Sequence, residues 1–523
     1  MASLAALQAL HDTVGAALND IKRVYDSKGL DYPSLDAPFY QHNPDPSKLS
    51  NADAKRAAAE KIALEDPTVT KAANLIVAAS GQLASSVHHP FFAFIEGVHA
   101  GHITAALGVL EASHVPEILR DAGPDGLHIN DIARKVEEIR LGKDALSDPD
   151  VQHVDPIKLS HVLRALATHH WLREVKQDVY ANNRLTAILD TGKPLEQIGA
   201  APEKKYDETN GVAAFVGMCA SEFHRSVTYL NEWLLPSREN ARAKKRATPF
   251  NLAYQTDELF YEYLERPENA LRLIQVGRAM SGAKATEGGV SIADPTVFEW
   301  KTLPQGSVVV DVGGGIGSVA VQLAEPHPNL RVVVQDRAQT IELAPKIWGA
   351  AHKELFDSGR VSFLAQDFFA PQPAALQVAG VGTVAHPAAY LVTRVLHNWP
   401  DAECIRILSR LRAAAGPDTK LVLHEIILPL ACAEPKTSAS AAETEVDAGG
   451  RALAPAGSPL LPNLGKAASA SYLLDLTMMT MMDSRERTLA EFRALAGEAG
   501  WRIVHVLRGV SVASWGYLVA VPA

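Results

Sequence analysis

Apolar positions near the start of this chain recur at helical spacing. Leu4, Leu7, Leu10, Val14, Leu18 and Ile21 fall on one face of a helix, and residues 1–90 read as amphipathic helices around a polar, Pro-containing stretch near 33–49. Residues 91–200 change character. "VPEILRDAG" reads as a helix, "LHINDIARKV" as a short strand and a helix, and "DPIKLSHVLRALATHHWL" as a helix with apolar 3–4 spacing. "WLREVKQDVYANNRLTAIL" then alternates like a hairpin, which completes a helix-turn-helix with a wing. Residues 201–295 read as helical, with Phe215, Phe223, Tyr229, Trp233, Phe250, Tyr254, Phe260, Tyr261 and Tyr263 interleaved. Most of these rings are expected in the core, and some to line a flat apolar pocket.

From 296 to 523 the period alternates between strand and helix. Strands are expected near 307–312, 331–336, 361–365, 389–395 and 419–427, with a last pair near 501–508 and 513–521. Strands separated by helices predict an α/β fold with a parallel, doubly wound sheet, and the final hairpin can add an antiparallel edge. Residues 431–468 break the pattern. They are rich in Ala, Ser, Pro and Gly without a period, and read as a long mobile surface insertion.

Composition narrows the function. About half of the residues are hydrophobic and the formal net charge is −10, which predicts a soluble globular protein and speaks against nucleic acid as a partner. The second helix of the winged element offers only Lys158, His161 and Arg164, so a scaffold is expected rather than a DNA reader. The basic run Arg242, Lys244, Lys245, Arg246 reads as solvated surface. No run is read as long enough to cross a membrane, and the first residues lack the basic start of a signal peptide. Cys219, Cys404 and Cys432 are far apart, which favours a reducing, cytoplasmic setting and excludes a CxxC zinc site. No metal site is expected.

The strongest local signal is "SVVVDVGGGIGSVAVQLAEPHPNLRVVVQDR". An apolar strand runs into a turn with Asp311, Gly313, Gly314, Gly315 and Gly317, and a helix follows. Glycine is required where a backbone turns sharply against a ligand. Asp336 ends the next strand, where a carboxylate can hold both ribose hydroxyls of a nucleoside. The turn lacks the GxGxxG spacing of nicotinamide sites, and Asp311 would repel a pyrophosphate. S-adenosylmethionine suits an acidic site better, since it carries a ribose and a positive sulfonium but no phosphate.

"YLVTRVLHNWPDAEC" poses the chemical question. His397 ends an apolar strand, before a turn in which Pro400 and Asp401 open a helix. These residues alone allow both a core histidine and a base at the mouth of a site. Phenols have a pKa of about 10, so a base near neutrality that takes the proton during attack is valuable.

The segments "VVVDVGGGIG", "VQDR", "AQDFFAP", "LHNWPDAEC", "LHEIILP" and "DLTMMTMMDSRERTLAEFRALAGEAGW" occur in an order that resembles plant and fungal small-molecule O-methyltransferases of the caffeic acid type, the fungal members most. The resemblance covers roughly residues 85–523. It implies a helical N-terminal region (1–90) and a winged-helix domain (91–200) that make a homodimer. A substrate-lining helical segment (201–295) and a class I methyltransferase domain (296–523) would follow. It implies S-adenosylmethionine as cofactor and S-adenosylhomocysteine as product, with no metal. By the same resemblance Asp311, Gly313, Gly315 and Gly317 form the cofactor turn, and Asp336 and Arg337 stand at the ribose. Asp367 and Phe368 stand at the adenine, and Arg394 is a further cofactor contact, set one position later than in many fungal relatives. His397 is the base of the family pattern and Glu425 and Glu486 are its two flanking glutamates, with Glu425 expected to orient the imidazole. Phe250, Asn251, Tyr254, Met280, Trp399, Met478 and Met482 are expected at the acceptor ring. Asn398 stands where the plant pattern has an acid. The reaction implied is methylation of a phenolic hydroxyl. N-methylation, another reaction on the same fold, or a winged-helix regulator remain the alternatives.

Overall fold

The computed structural model describes residues 4–40, 50–143, 148, 150–235, 248–285, 290–342, 352–433, 453–508 and 515–523. The chain divides into two compact units. One comprises Met1–Val14, Asn74–Leu83 and Gly288–Ala523, the other Gly15–Ala73 and Ala84–Glu287. Positions 90 and 200, expected as boundaries, both fall inside the second unit.

In the second unit the winged element forms as read. The helices Val115–Ala122, Ile129–Leu141 and Pro156–Thr168 surround a three-stranded sheet of β1 (Leu127–His128), β2 (Arg173–Lys176) and β3 (Val179–Ala181). Leu110, Ile118, Leu119, Ile132, Leu163 and Leu166 fill its core. Arg164, one of the three polar residues that the second helix of this element offers, is held by Glu174 at 2.7 Å and Asp178 at 2.8 Å. The basic run at 242–246 lies outside the described residues. The helix Pro90–Ala112 corrects one expectation: by length and composition it could cross a membrane. Glu96, His99 and His102 interrupt its apolar run, which hid it in the sequence. Phe91, Phe92, Phe94 and Val98 on it are exposed.

The first unit is an α/β sandwich around one eight-stranded sheet. Its path is β12 (Trp501–Arg508), β13 (Trp515–Pro522), β10 (Lys420–Leu428), β9 (Ala389–Thr393), β4 (Ser307–Val312), β5 (Leu330–Asp336) and β6 (Val361–Ala365). β10, β9, β4, β5 and β6 run parallel, and the final hairpin joins antiparallel to β10. A short β11 (Arg487–Thr488) pairs parallel with the end of β10, and β7 (Leu376–Val378) with β8 (Gly382–Val384) forms a separate hairpin. The apolar run in β4 reflects burial on both faces: Val308, Val310 and Val312 enter one core and Val309 the other.

The insertion expected to be mobile is corrected over its last part. Residues 434–452 lie outside the described residues. Leu460 and Leu464 beyond them are buried, and pack with Leu10, Ala78 and Ala79 into a small core. Scattered leucines in a Pro- and Gly-rich stretch have no period, so their burial shows only once their distant partners are in place.

Candidate active site

Two turns leave the carboxyl ends of neighbouring parallel strands, where open α/β sheets bind ligands. The first follows β4. Gly313, Gly315 and Gly317 have φ of +68°, +61° and +88°, a region open mainly to glycine. Gly314 is required for another reason: a Cβ there would lie 2.5 Å from Oδ2 of the fully buried Asp311. The Gly313 and Gly314 N–H groups donate to the Gln335 carbonyl at 2.8 and 3.2 Å. Gly315 N–H donates to Asp336 Oδ2 at 2.9 Å, and Arg337 N–H to Oδ1 at 2.8 Å. The turn therefore fixes the carboxylate at the end of β5, and each oxygen keeps a lone pair for a ligand hydroxyl. Asp367 is exposed and accepts from the Phe369 N–H at 2.9 Å. Phe368 meets Phe369 and Trp399 edge to face, at centroid distances of 4.9 and 5.9 Å. A Cβ on Gly313 would come within 3.6 Å of Phe368 and 2.8 Å of Val395, so the bare backbone keeps this cradle open. A glycine cradle with Asp311, Asp336 and Asp367 around it fits a cationic nucleoside such as S-adenosylmethionine better than a phosphate ester.

The second turn follows β9. The strand stops at Thr393 because Arg394 takes a left-handed φ of +55°, an uncommon state for a side-chain-bearing residue that costs about 1–3 kcal/mol. A single helical turn, Leu396–Asn398, then presents His397, and Asn398 caps it by donating to the Arg394 carbonyl at 3.2 Å. Pro400 ends the turn and the helix Asp401–Ala414 begins, as the sequence implied.

His397 Nδ1 lies 2.9 Å from Glu486 Oε1, with the imidazole 13% exposed and the carboxylate fully buried. An ionised carboxylate can only accept, so Nδ1–H donates and the lone pair sits on Nε2. This corrects the expected partner. Glu425 does not orient His397 by a hydrogen bond. Its Oε1 instead accepts from the Val395 and Leu396 N–H groups at 3.0 and 2.8 Å, so it shapes the backbone that carries the histidine. Glu486 arrives through β11, whose Arg487 pairs with Ile427 of β10. The Glu486 N–H donates to Asp475 at 2.8 Å. The helix Leu489–Glu498 behind it starts with the capping box of Thr488 and Glu491 that the sequence announced.

Burial pulls the His397 imidazole down, but Glu486, by charge and hydrogen bond, with Glu425 behind it, outweighs this and holds it above its ordinary value. Burial and the charge of Glu486 push the Glu425 carboxyl up. Burial, with Arg394 adding, pulls His424 down to about 3, and its ring stacks on Tyr517 at 4.2 Å. His424 is therefore a neutral packing residue. The remaining oxygens, Oε2 of Glu425 and of Glu486, are buried without a hydrogen-bond partner. His397, Glu425 and Glu486 are also a group whose donor atoms lie within 4.8 Å of one another, close enough to hold a metal ion. The sequence grouped these three residues as a base and its carboxylates, and no metal site was expected from them.

The residues expected at the acceptor ring fall in both units. Met478 is buried and Met482 half-buried on the helix Ser469–Met482 that precedes Glu486. Trp399 packs on Phe368 and Phe369. Phe250, Asn251, Tyr254 and Met280 belong to the other unit. Two of these have partners within their own unit. Phe250 is fully buried against Tyr254, Phe260 and Tyr263, and Asn251 forms the capping box with Thr248 and donates to the Glu258 carbonyl. Tyr254 carries the Arg225 guanidinium 4.6 Å from its ring centre, and Met280 is exposed. Ser484, Arg487 and Trp515 join the histidine turn without having been expected there. The Trp515 ring stands 6.2 Å from His397. A charged residue at 487, next to Glu486 and inside a strand-helix junction, was the signal available for the arginine.

The family pattern described as an O-methyltransferase domain matches residues 239–456. An O-methyltransferase of Armillaria gallica is 37% identical over 443 residues, covering 84% of this chain and 86% of its own. The 4-O-methyltransferase 1 of Phanerochaete chrysosporium is 33% identical over 506 residues, covering 96% of each chain. Among solved structures, a mitomycin 7-O-methyltransferase matches with TM-score 0.54 at 19% identity, over 85% of this chain and 99% of its own. A pericyclic reaction enzyme matches with TM-score 0.60 at 16% identity, over 90% of this chain and 99% of its own. These structural likenesses concern the fold.

Proposed function

Because this chain belongs to the O-methyltransferase family, we propose that it transfers the methyl group of S-adenosylmethionine to a phenolic hydroxyl of a small aromatic molecule, with His397 as general base. The observation that carries this reading is the His397–Glu486 contact at 2.9 Å on a histidine still partly exposed. Nδ1–H is engaged by the carboxylate, so Nε2 is the free acceptor for a phenol proton. The Glu486 carboxylate stabilises the imidazolium as it forms. Glu425 holds the Val395 and Leu396 amides, which keeps the turn in place while the ring changes charge. When bound, S-adenosylmethionine supplies an electrophilic methyl group on a positive sulfur. The glycine turn with Asp311, Asp336, Asp367 and Phe368 would hold it, and Arg337 and Arg394 flank that place. Met478, Met482 and Trp515 offer soft, polarisable surface to an aromatic ring.

A homodimer belongs to the same proposal. The exposed Phe91, Phe92, Phe94 and Val98 on one helix are the kind of surface that a second copy covers. The three cysteines, all free, accord with a cytoplasmic, reducing compartment.

Purified protein should be incubated with S-adenosylmethionine and a panel of phenols and matched anilines, and products read by mass spectrometry. A gain of one methyl on phenols is expected. Methyl gain only on amines, or turnover of an acceptor without methyl gain, would replace this reading with N-methylation or another reaction. Gel filtration with light scattering should give twice the chain mass.

A further inference from the structure

We propose that Arg487 is a positioning residue for His397, tying the turn that carries the histidine to the segment that carries Glu486. This rests on the reading of His397 as base. Arg487 is among the most deeply buried large side chains, at 1% exposure. Its Nη1 donates to the Leu396 carbonyl at 2.9 Å, and its Nη2 to the Trp399 carbonyl at 2.7 Å. These two carbonyls bracket His397. Nε and Nη2 also donate to Asp401 Oδ1, at 3.0 and 2.8 Å, where the next helix begins.

Ser484 adds a second tie from the same segment. Its hydroxyl lies 2.7 Å from the His397 carbonyl and 2.8 Å from that of Trp399, and its one proton serves either. The segment 484–487 therefore grips the backbone on both sides of His397 while Glu486, between the two gripping residues, engages the ring. Base and carboxylate come from positions 397 and 486, so nothing in the local chain holds their 2.9 Å contact. The clamp holds it. Only a planar fork reaches two carbonyls and a carboxylate at once; the ammonium of lysine cannot reproduce that geometry. Arginine here is also costly without its partners, since a buried unpaired charge strongly destabilises. Its partners are all on the histidine turn or the helix after it, apart from the Arg485 carbonyl next to it at 3.3 Å.

The test compares wild type, Arg487→Lys, Asp401→Asn, Ser484→Ala and His397→Gln as full chains. Melting temperature, S-adenosylhomocysteine affinity, kcat and KM across pH, and the His397 imidazole titration by NMR are measured on each. Loss of charge-assisted hydrogen bonds predicts that Arg487→Lys lowers kcat about ten- to hundredfold, with KM and cofactor affinity changed little. The imidazole should titrate lower than in wild type, because the ring drifts from Glu486, and the acid limb of the rate profile should move with it. Asp401→Asn and Ser484→Ala should shift both in the same direction by less, and they decide the matter if Arg487→Lys does not fold. Lower melting temperatures with unchanged kcat, rate profile and imidazole titration would make Arg487 a structural arginine and overturn the proposal. Full turnover by His397→Gln would remove the base reading, whereas the NMR titration reads the position of the imidazole independently of it.

Discussion

The turn after β4 and the turn after β9 leave adjacent strands of one sheet, yet they are specified in different ways. The glycine turn is made by its own sequence. Gly313, Gly315 and Gly317 supply the left-handed φ values, Gly314 makes room for Asp311, and the carboxylate it fixes sits only twenty-one residues away. The histidine turn depends on residues from a distant segment: Ser484, Glu486 and Arg487 hold its carbonyls and its ring. A site that only binds a nucleoside can be written locally. One that moves a proton must bring a base and a buried carboxylate into contact, and each destabilises the chain unless the other is there.

This contrast can be broken at either turn. The largest effect is expected for His397→Gln, which should cost two to four orders of magnitude in methyl transfer while S-adenosylhomocysteine binding and melting temperature stay close to wild type. A destabilised variant with full specific activity would return His397 to the core. Gly314→Ala should show the reverse signature. A Cβ 2.5 Å from a buried carboxylate forces the turn apart, and an overpacking cost of about 1–3 kcal/mol corresponds to cofactor binding weakened from severalfold to about a hundredfold. At saturating cofactor its pH profile should match wild type; calorimetry and a rate profile on one sample check both.

The pH dependence sharpens the histidine side. A base must be neutral to accept a proton, so the wild-type rate is low below the folded pKa of His397 and rises with pH through it. Glu486 holds that pKa above the ordinary value, so the rise lies on the alkaline side of a free histidine's. Glu486→Gln removes the charge and leaves burial, which lowers the pKa. The rise should move to lower pH while the plateau falls roughly tenfold for want of imidazolium stabilisation. A plateau unchanged from wild type would show that the carboxylate takes no part. The smallest effect is expected for Glu425→Gln. Its amide oxygen can still accept from Val395 and Leu396, so turnover should fall only about twofold to fivefold. A loss as large as that of Glu486→Gln would reassign the orienting role to Glu425.

The strands and their alternation with helices were legible because burial on both faces of a parallel sheet leaves continuous apolar runs, as in β4 and β10. The acceptor side was less so. Phe250 and Tyr254 read as ring-lining residues by composition, but composition does not distinguish a ring that faces a cavity from one packed on Phe260 and Tyr263. Asn251 was similarly ambiguous, since a polar side chain serves a cap or a ligand equally well. The helix Pro90–Ala112 carried its exposed phenylalanines in plain view, with polar interruptions that masked its apolar length.

By itself, the sequence determined the alternation of strand and helix, the glycine turn, and the acid at the end of β5. Each depends on φ, on period or on neighbours a few residues away, and such constraints act on the chain before it is compact. The tertiary structure alone decided that Glu486 rather than Glu425 meets the imidazole, that Arg487 brackets His397, and that Leu460 and Leu464 are core. Those outcomes turn on which distant segments share a desolvated space. A carboxylate, a guanidinium or a leucine has the same local signature whether or not its partner is there.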